Sequence, residues 1–187
     1  MIVVLIGGSG SGKSEFAENI ALQLNTGKLV YIATMQSFDE ESKVRVKRHQ
    51  KMRQSKNFRT IECYTGLANV KVAKNTTALL ECMSNLVANE MFSEEGAKEN
   101  TLVAIKRGIT QLAEQTDNLL IVTNNVFEDG FRYDEETTRY MKLLGEINRW
   151  ICQMADKVVE VVHGVPVEIK NISDSIWSGR NLDETHN

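Results

Sequence analysis

The chain reads as an α/β protein, a doubly wound and mostly parallel sheet with helices on both faces. Three observations predict this. Short apolar, β-rich runs recur along the 187 residues, and amphipathic helical patterns lie between several of them. The first apolar run passes directly into Gly7-Gly8-Ser9-Gly10-Ser11-Gly12-Lys13-Ser14, and a helical pattern follows. That string fits G-x-x-x-x-G-K-[ST], the phosphate-binding loop, in its expected strand–loop–helix setting.

Ile2–Ile6 is continuously apolar, as a strand buried on both faces must be. The glycine loop comes next, and Glu15–Leu24 then places Phe16, Ile20, Ala21 and Leu24 at helical spacing. Leu29–Ala33 reads as the second strand and Glu40–Arg53 as a helix. Phe58–Cys63 and Ala78–Cys82 are further strands, followed by helices over Ser84–Phe92 and Leu102–Thr116. Leu119–Thr123 is another buried run, and Glu135–Met154 is the longest helical pattern. Val158–Val162, His163-Gly164 and Pro166–Ile169 form a closing hairpin at the sheet edge, where the only proline of the chain is tolerated. Residues 1–170 are expected to form one catalytic domain. Asn171–Asn187 is polar and acidic, a loosely attached tail with Trp177 as its anchor.

Composition narrows the function classes. Apolar residues at 42% and charged residues at 25% suit a soluble globular domain. A net charge of −3 provides no global basic field, which argues against a nucleic-acid partner. No run approaches the roughly 20 apolar residues of a membrane span, and the first run lacks the positive flank of a signal peptide. Cys63, Cys82 and Cys152 are odd in number and widely spaced, as expected of buried thiols in a reducing cytoplasm.

The loop defines the chemistry. Its glycines let successive backbone N–H groups turn toward an anion, Lys13 offers a charge to the β/γ-phosphates, and the Ser14 hydroxyl suits Mg²⁺. A second carboxylate is needed at the end of a neighbouring buried strand, and Thr77-Ala78-Leu79-Leu80-Glu81 supplies it; Leu119–Thr123 runs instead into Asn124-Asn125. A regulatory GTPase would carry N-K-x-D and D-x-x-G, and neither string occurs. Large motor ATPases need a longer chain, so a small-molecule kinase or a nucleotidyltransferase remains. Within Arg45–Arg53, a helix would put Arg45, His49 and Arg53 on one face. That pattern fits either a solvated basic face or a neutral histidine nucleophile whose cationic neighbours neutralise a departing pyrophosphate. His163 and His186 are weaker candidates, at a strand end and in the tail.

These strings together resemble the bifunctional adenosylcobinamide kinase/adenosylcobinamide-phosphate guanylyltransferase family of cobalamin biosynthesis. The resemblance runs through GGSGSGKS (Gly7–Ser14), YIATMQ (Tyr31–Gln36), RVKRHQKMR (Arg45–Arg53) and FRTIEC (Phe58–Cys63). LLECMSNLVAN (Leu79–Asn89), IVTNNV (Ile121–Val126), the helix Arg139–Ala155 and VVHGVPVEIK (Val161–Lys170) continue it. It implies a RecA-like P-loop NTPase fold, Mg²⁺, and GTP as co-substrate, with ATP the other candidate donor for the kinase step. It further implies a corrinoid partner, adenosylcobinamide and its phosphate, and a homotrimer with sites between subunits. By position, His49 matches the histidine that carries GMP. Ala33, Thr34, Met35, Gln50, Lys51, Met52, Arg53, Glu62 and Glu81 match positions that contact the nucleotide.

Three departures stand out. Asn125 occupies the place of a usual Glu and is followed by Phe127-Glu128-Asp129 in place of a glycine-rich stretch. Gln54 stands where proline is common, and Phe58 where tryptophan is frequent. The first bears on metal or corrinoid binding. It is also the feature favouring a regulatory nucleotide-binding protein that has lost turnover, a reading opposed by Glu81, His49 and Glu62. A kinase of other specificity would not need His49.

Overall fold

The computed structural model describes residues 1–25, 27–36, 56–125 and 133–172. Seven strands form one sheet: β1 (Ile2–Gly7), β2 (Lys28–Ala33), β3 (Arg59–Glu62), β4 (Thr76–Glu81), β5 (Asn118–Asn124), β6 (Lys157–Val162) and β7 (Val165–Asn171). Their spatial order is β3-β2-β4-β5-β1-β6-β7, and every pairing is parallel except β6 with β7. The helices are α1 (Lys13–Leu24), α2 (Met83–Phe92), α3 (Thr101–Gln115) and α4 (Glu135–Met154).

Strand period decides which face each side chain joins. Val3 and Leu5 of β1, Tyr31, Leu79, Leu120 and Val122 pack with Ala17 and Ala21 of α1. Val4, Ile32, Leu80 and Ile121 point the other way, against Leu86, Ile105, Ile109, Leu144 and Ile147 of α2, α3 and α4. Helices therefore lie on both faces, as expected.

Central strands matched their apolar runs because both faces are covered; all six residues of β4 are buried. Strand β4 begins at Thr76, one residue before the stretch Thr77–Glu81, and the Thr76 hydroxyl is satisfied by donating to the Ala73 carbonyl at 2.6 Å. At the sheet edge, β3 is shorter than Phe58–Cys63 and mostly exposed. The closing hairpin is present, and β7 extends to Asn171, one residue into the stretch read as tail. The α4 boundaries agree with the sequence pattern, since the Asp134 carboxylate caps the helix, accepting from Thr137 N at 2.7 Å. The expected helix Glu40–Arg53 and the anchor Trp177 fall outside the described residues.

Candidate functional site

Gly7, Ala33, Glu62, Glu81, Asn124 and Val162 are the last residues of β1–β6, so one end of the sheet gathers all six parallel strand termini. Open parallel sheets bind ligands at this end. The glycine loop leaves β1 there. Gly12 adopts φ 89°, a left-handed conformation that lets the chain turn into α1 at Lys13. A Cβ on Gly7 would lie 2.5 Å from the Val161 carbonyl, so only glycine permits that approach. The hairpin tip then braces the loop, with Gly164 N–H donating to the Ser11 carbonyl at 2.8 Å.

Beneath the loop is a cavity of about 320 Å³ lined by Ser9 through Glu15 and by Met35, Glu81, Cys82, Asn85, Val122 and Asn124. Lys13 is only 7% exposed, and its ammonium donates to the Gly8 carbonyl at 2.8 Å. Burial pushes its pKa down, while Cys82 and Glu81 act in the opposite direction. A phosphate would add to the counter-charge that Glu81 provides.

The Ser14 hydroxyl donates to Glu81 Oε1, so α1 and β4 place two hard oxygen donors in contact at the cavity wall. That donor set fits Mg²⁺, which prefers oxygen ligands and keeps part of its water shell. No group of three or more His, Cys, Asp or Glu side chains suited to a metal occurs among the described residues. Magnesium would therefore rest on Ser14, Glu81, water and phosphate oxygens.

A shell of polar contacts holds Glu81 in place. Thr34 is fully buried, and its hydroxyl donates to the Cys82 carbonyl at 2.8 Å while accepting from Cys82 N–H at 2.7 Å. Thr34 N–H donates to the Glu81 carbonyl at 3.0 Å, and the Thr34 carbonyl accepts from Asn89 at 2.8 Å. With all its polar groups engaged inside the protein, Thr34 serves as a clamp on the end of β4. Asn124 donates to Ser84 Oγ at 2.8 Å, and Ser84 also contacts Cys82 Sγ at 3.0 Å. Tyr140 O–H donates to the Ser84 carbonyl at 3.2 Å, and burial pushes that phenol up to about 12. The Cys82 thiol is likewise pushed up, chiefly by burial, with the Ser84 contact opposing. Both groups stay protonated near neutral pH.

The cavity thus unites Ser9, Gly10, Ser11, Gly12, Lys13, Ser14, Met35 and Glu81. Gly7 and Gly8 form the loop's entry, and Ala33 lies half-buried at the end of β2. Glu62 sits at the same end of the sheet but on edge strand β3, exposed, accepting from Tyr64 O–H at 2.9 Å. His49, Gln50, Lys51, Met52 and Arg53 lie outside the described residues. Asn125 does not line the phosphate cavity; it borders a separate one beside α4. Sequence reasoning missed Asn85 and the Ser84–Asn124 contact. Period-two alternation at the end of β5 sends Asn124 and Asn125 to different faces, but a contact between residues 40 apart leaves no local signal.

A family model described as cobinamide kinase / cobinamide phosphate guanyltransferase matches residues 3–169. The chain is 27% identical to the bifunctional adenosylcobalamin biosynthesis protein CobU of Escherichia coli (strain K12) over 184 residues, covering 91% of this chain and all of that one. It is 28% identical to the protein of the same name from Salmonella typhimurium, with the same coverage. A solved structure from Pyrococcus horikoshii OT3, PH0250, superposes with a TM-score of 0.55 at 11% identity, covering 94% of this chain and 88% of that one; this likeness concerns the fold alone. The phosphate loop, its buried lysine and the strand-end carboxylate agree with a family match over nearly the whole chain: the protein belongs to the cobinamide kinase/cobinamide phosphate guanylyltransferase family, and is a kinase and nucleotidyltransferase of cobalamin biosynthesis.

Proposed function

We propose that the loop Gly7–Ser14 serves both reactions, holding GTP (or, for the kinase step, ATP) with Mg²⁺ on Ser14 and Glu81. The observation that carries this reading is the Ser14–Glu81 contact beside buried Lys13. In the kinase step the hydroxyl of adenosylcobinamide attacks the γ-phosphorus. A P–O bond forms, the bridge to the β-phosphate breaks, the nucleoside diphosphate leaves and the hydroxyl proton passes to water. Lys13 and the loop N–H groups stabilise charge on the transferring group. Bound Mg²⁺ neutralises charge on the phosphate oxygens.

In guanylyl transfer, His49 attacks the α-phosphorus of GTP, a P–N bond forms and pyrophosphate departs. An oxygen of adenosylcobinamide phosphate then attacks the same phosphorus, forms a P–O bond and releases the histidine, giving adenosylcobinamide-GDP. Arg45 and Arg53 flank His49 in sequence and would favour its neutral, nucleophilic form. Gln50, Lys51, Met52, Ala33, Met35 and Glu62 are assigned to the nucleotide's surroundings on the family resemblance, and Thr34 to support of that site. The working unit is a homo-oligomer, a trimer by the same resemblance. Residues 1–170, with Asn171 closing β7, act as one catalytic domain. Three free cysteines, Cys63, Cys82 and Cys152, suit a reducing cytoplasm. No helix among the described residues is long and apolar enough to cross a membrane.

The test is incubation with α-labelled GTP and Mg²⁺. Acid-labile label on the wild type and none on His49→Ala is the expected outcome. Label that persists on His49→Ala, or no covalent label at any pH, removes the histidine route.

A further inference from the structure

We propose that the cavity between α4 and the β6–β7 hairpin seats the corrin ring of the acceptor. It measures about 710 Å³, within the roughly 300–1,000 Å³ usual for small-molecule sites. Ile6 of β1, Val158 of β6 and Cys152 of α4 form an apolar floor. Asn125, Arg149, Gln153 and Glu160 bring hydrogen-bonding groups to the same cavity.

This pairing of surfaces matches the acceptor's chemistry. A cobinamide presents an apolar macrocycle whose rim bears carboxamide arms, each both donor and acceptor. Asn125 and Gln153 have the same dual capacity, Arg149 only donates, and ionised Glu160 only accepts. Neither Arg149 nor Glu160 makes an ion pair among the described residues. A second copy packed into the cavity would bury both charges, whereas an amide-bearing ligand gives each a partner.

Location supplies the second argument. Asn124 lines the phosphate cavity and Asn125, the next residue, lines this one. The wall between them is fixed: Asn125 N–H donates to the Gly7 carbonyl at 3.3 Å, and Asn148 donates to the Asn124 carbonyl at 3.2 Å. A ring seated beside α4 therefore lies across the sheet from the phosphates, and its hydroxyl-bearing arm reaches them around the end of β5, a distance on the order of the 10 Å between packed layers. The inference takes the acceptor from the family assignment and adds where it sits.

The experiment measures cobinamide binding to the full chain by equilibrium dialysis, read by corrin absorbance. Nucleotide affinity and sedimentation are followed in parallel. Cys152→Trp fills the floor, and Arg149→Ala alters only an exposed side chain. Cobinamide binding is expected to weaken about tenfold in Cys152→Trp and about threefold in Arg149→Ala, with nucleotide affinity held within about twofold. Unchanged cobinamide affinity in both variants overturns the proposal. So does a change in oligomeric mass with cobinamide affinity preserved, which would make this face an interface between copies. A wild-type protein that binds nucleotide but no cobinamide overturns the acceptor assignment and the proposal with it.

Discussion

Two buried carboxylates stand at opposite ends of α2, one just before its first turn and one in its last, and they have opposite uses. Glu90, in the last turn of α2, is 2% exposed and has both oxygens occupied: Gly66 N–H donates to one at 2.7 Å and Ala97 N–H to the other at 2.9 Å. It joins two loops and does not line the cavity beneath the glycine loop. Glu81, at the end of β4, is 9% exposed, meets the Ser14 hydroxyl and opens onto the space beneath the glycine loop. Burial alone therefore does not mark a functional acid. What distinguishes Glu81 is a wall shared with Lys13 and a cavity sized for phosphates.

That contrast separates variants that stop chemistry from variants that loosen the fold. The largest effect is expected at the loop. Lys13→Ala should lower cobinamide phosphorylation about 10³-fold by steady-state assay, because the transferring phosphate loses its cation. The melting temperature should not fall, since burial of the ammonium is itself unfavourable. Undiminished turnover would remove Lys13 from the kinase step.

At the other end, Glu90→Ala strands two backbone N–H groups and should cost about 2–4 kcal/mol in denaturant unfolding. Nucleotide affinity of the folded fraction should hold. A cost below about 0.5 kcal/mol would show that the two loops do not need the clamp. Between these extremes lies Thr34. Thr34→Val removes a hydroxyl that serves two backbone groups of Cys82, and should cost about 1–2 kcal/mol while lowering turnover. Thr34→Ser should restore both. Equal turnover in the Val and Ser variants would reduce Thr34 to a space-filling role.

The smallest effect is a pH dependence near Glu90. Burial, with Glu90 adding to it, pushes the Cys63 thiol from 9.0 up to about 11. The folded state holds that proton more tightly than the unfolded state does. The stabilisation is therefore complete below pH 9 and is lost as pH rises through 11. Urea midpoints should decline across that window by the equivalent of about 1–2 kcal/mol, and Cys63→Ala should flatten this part of the curve. An identical alkaline slope in the variant would assign the effect to other groups.

Much of this was legible in the chain. Central strands are apolar on both faces, so β1, β4 and β5 appeared as continuous runs, and the glycine loop fixed where α1 begins. Glu81 was readable because it closes such a run. Thr34, Glu90 and Asn124 were not readable as supports, because their partners lie 48, 24 and 40 residues away in sequence. No local pattern reports a hydrogen bond made only after the sheet assembles. Asn125 shows the opposite difficulty. Its identity was plain, but only the fold places it beside α4 and away from the phosphate cavity.

The central claim is that Glu81 belongs to the phosphate and metal site and not to the scaffold. Nucleotide affinity measured with and without Mg²⁺, for wild type and Glu81→Gln, tests this most directly. The expected result is that Mg²⁺ tightens binding about tenfold or more in the wild type and has no effect in the variant, whose ligand-free melting temperature is unchanged. Equal Mg²⁺ dependence in the two proteins, or a variant that is weakened only because it unfolds, would contradict it.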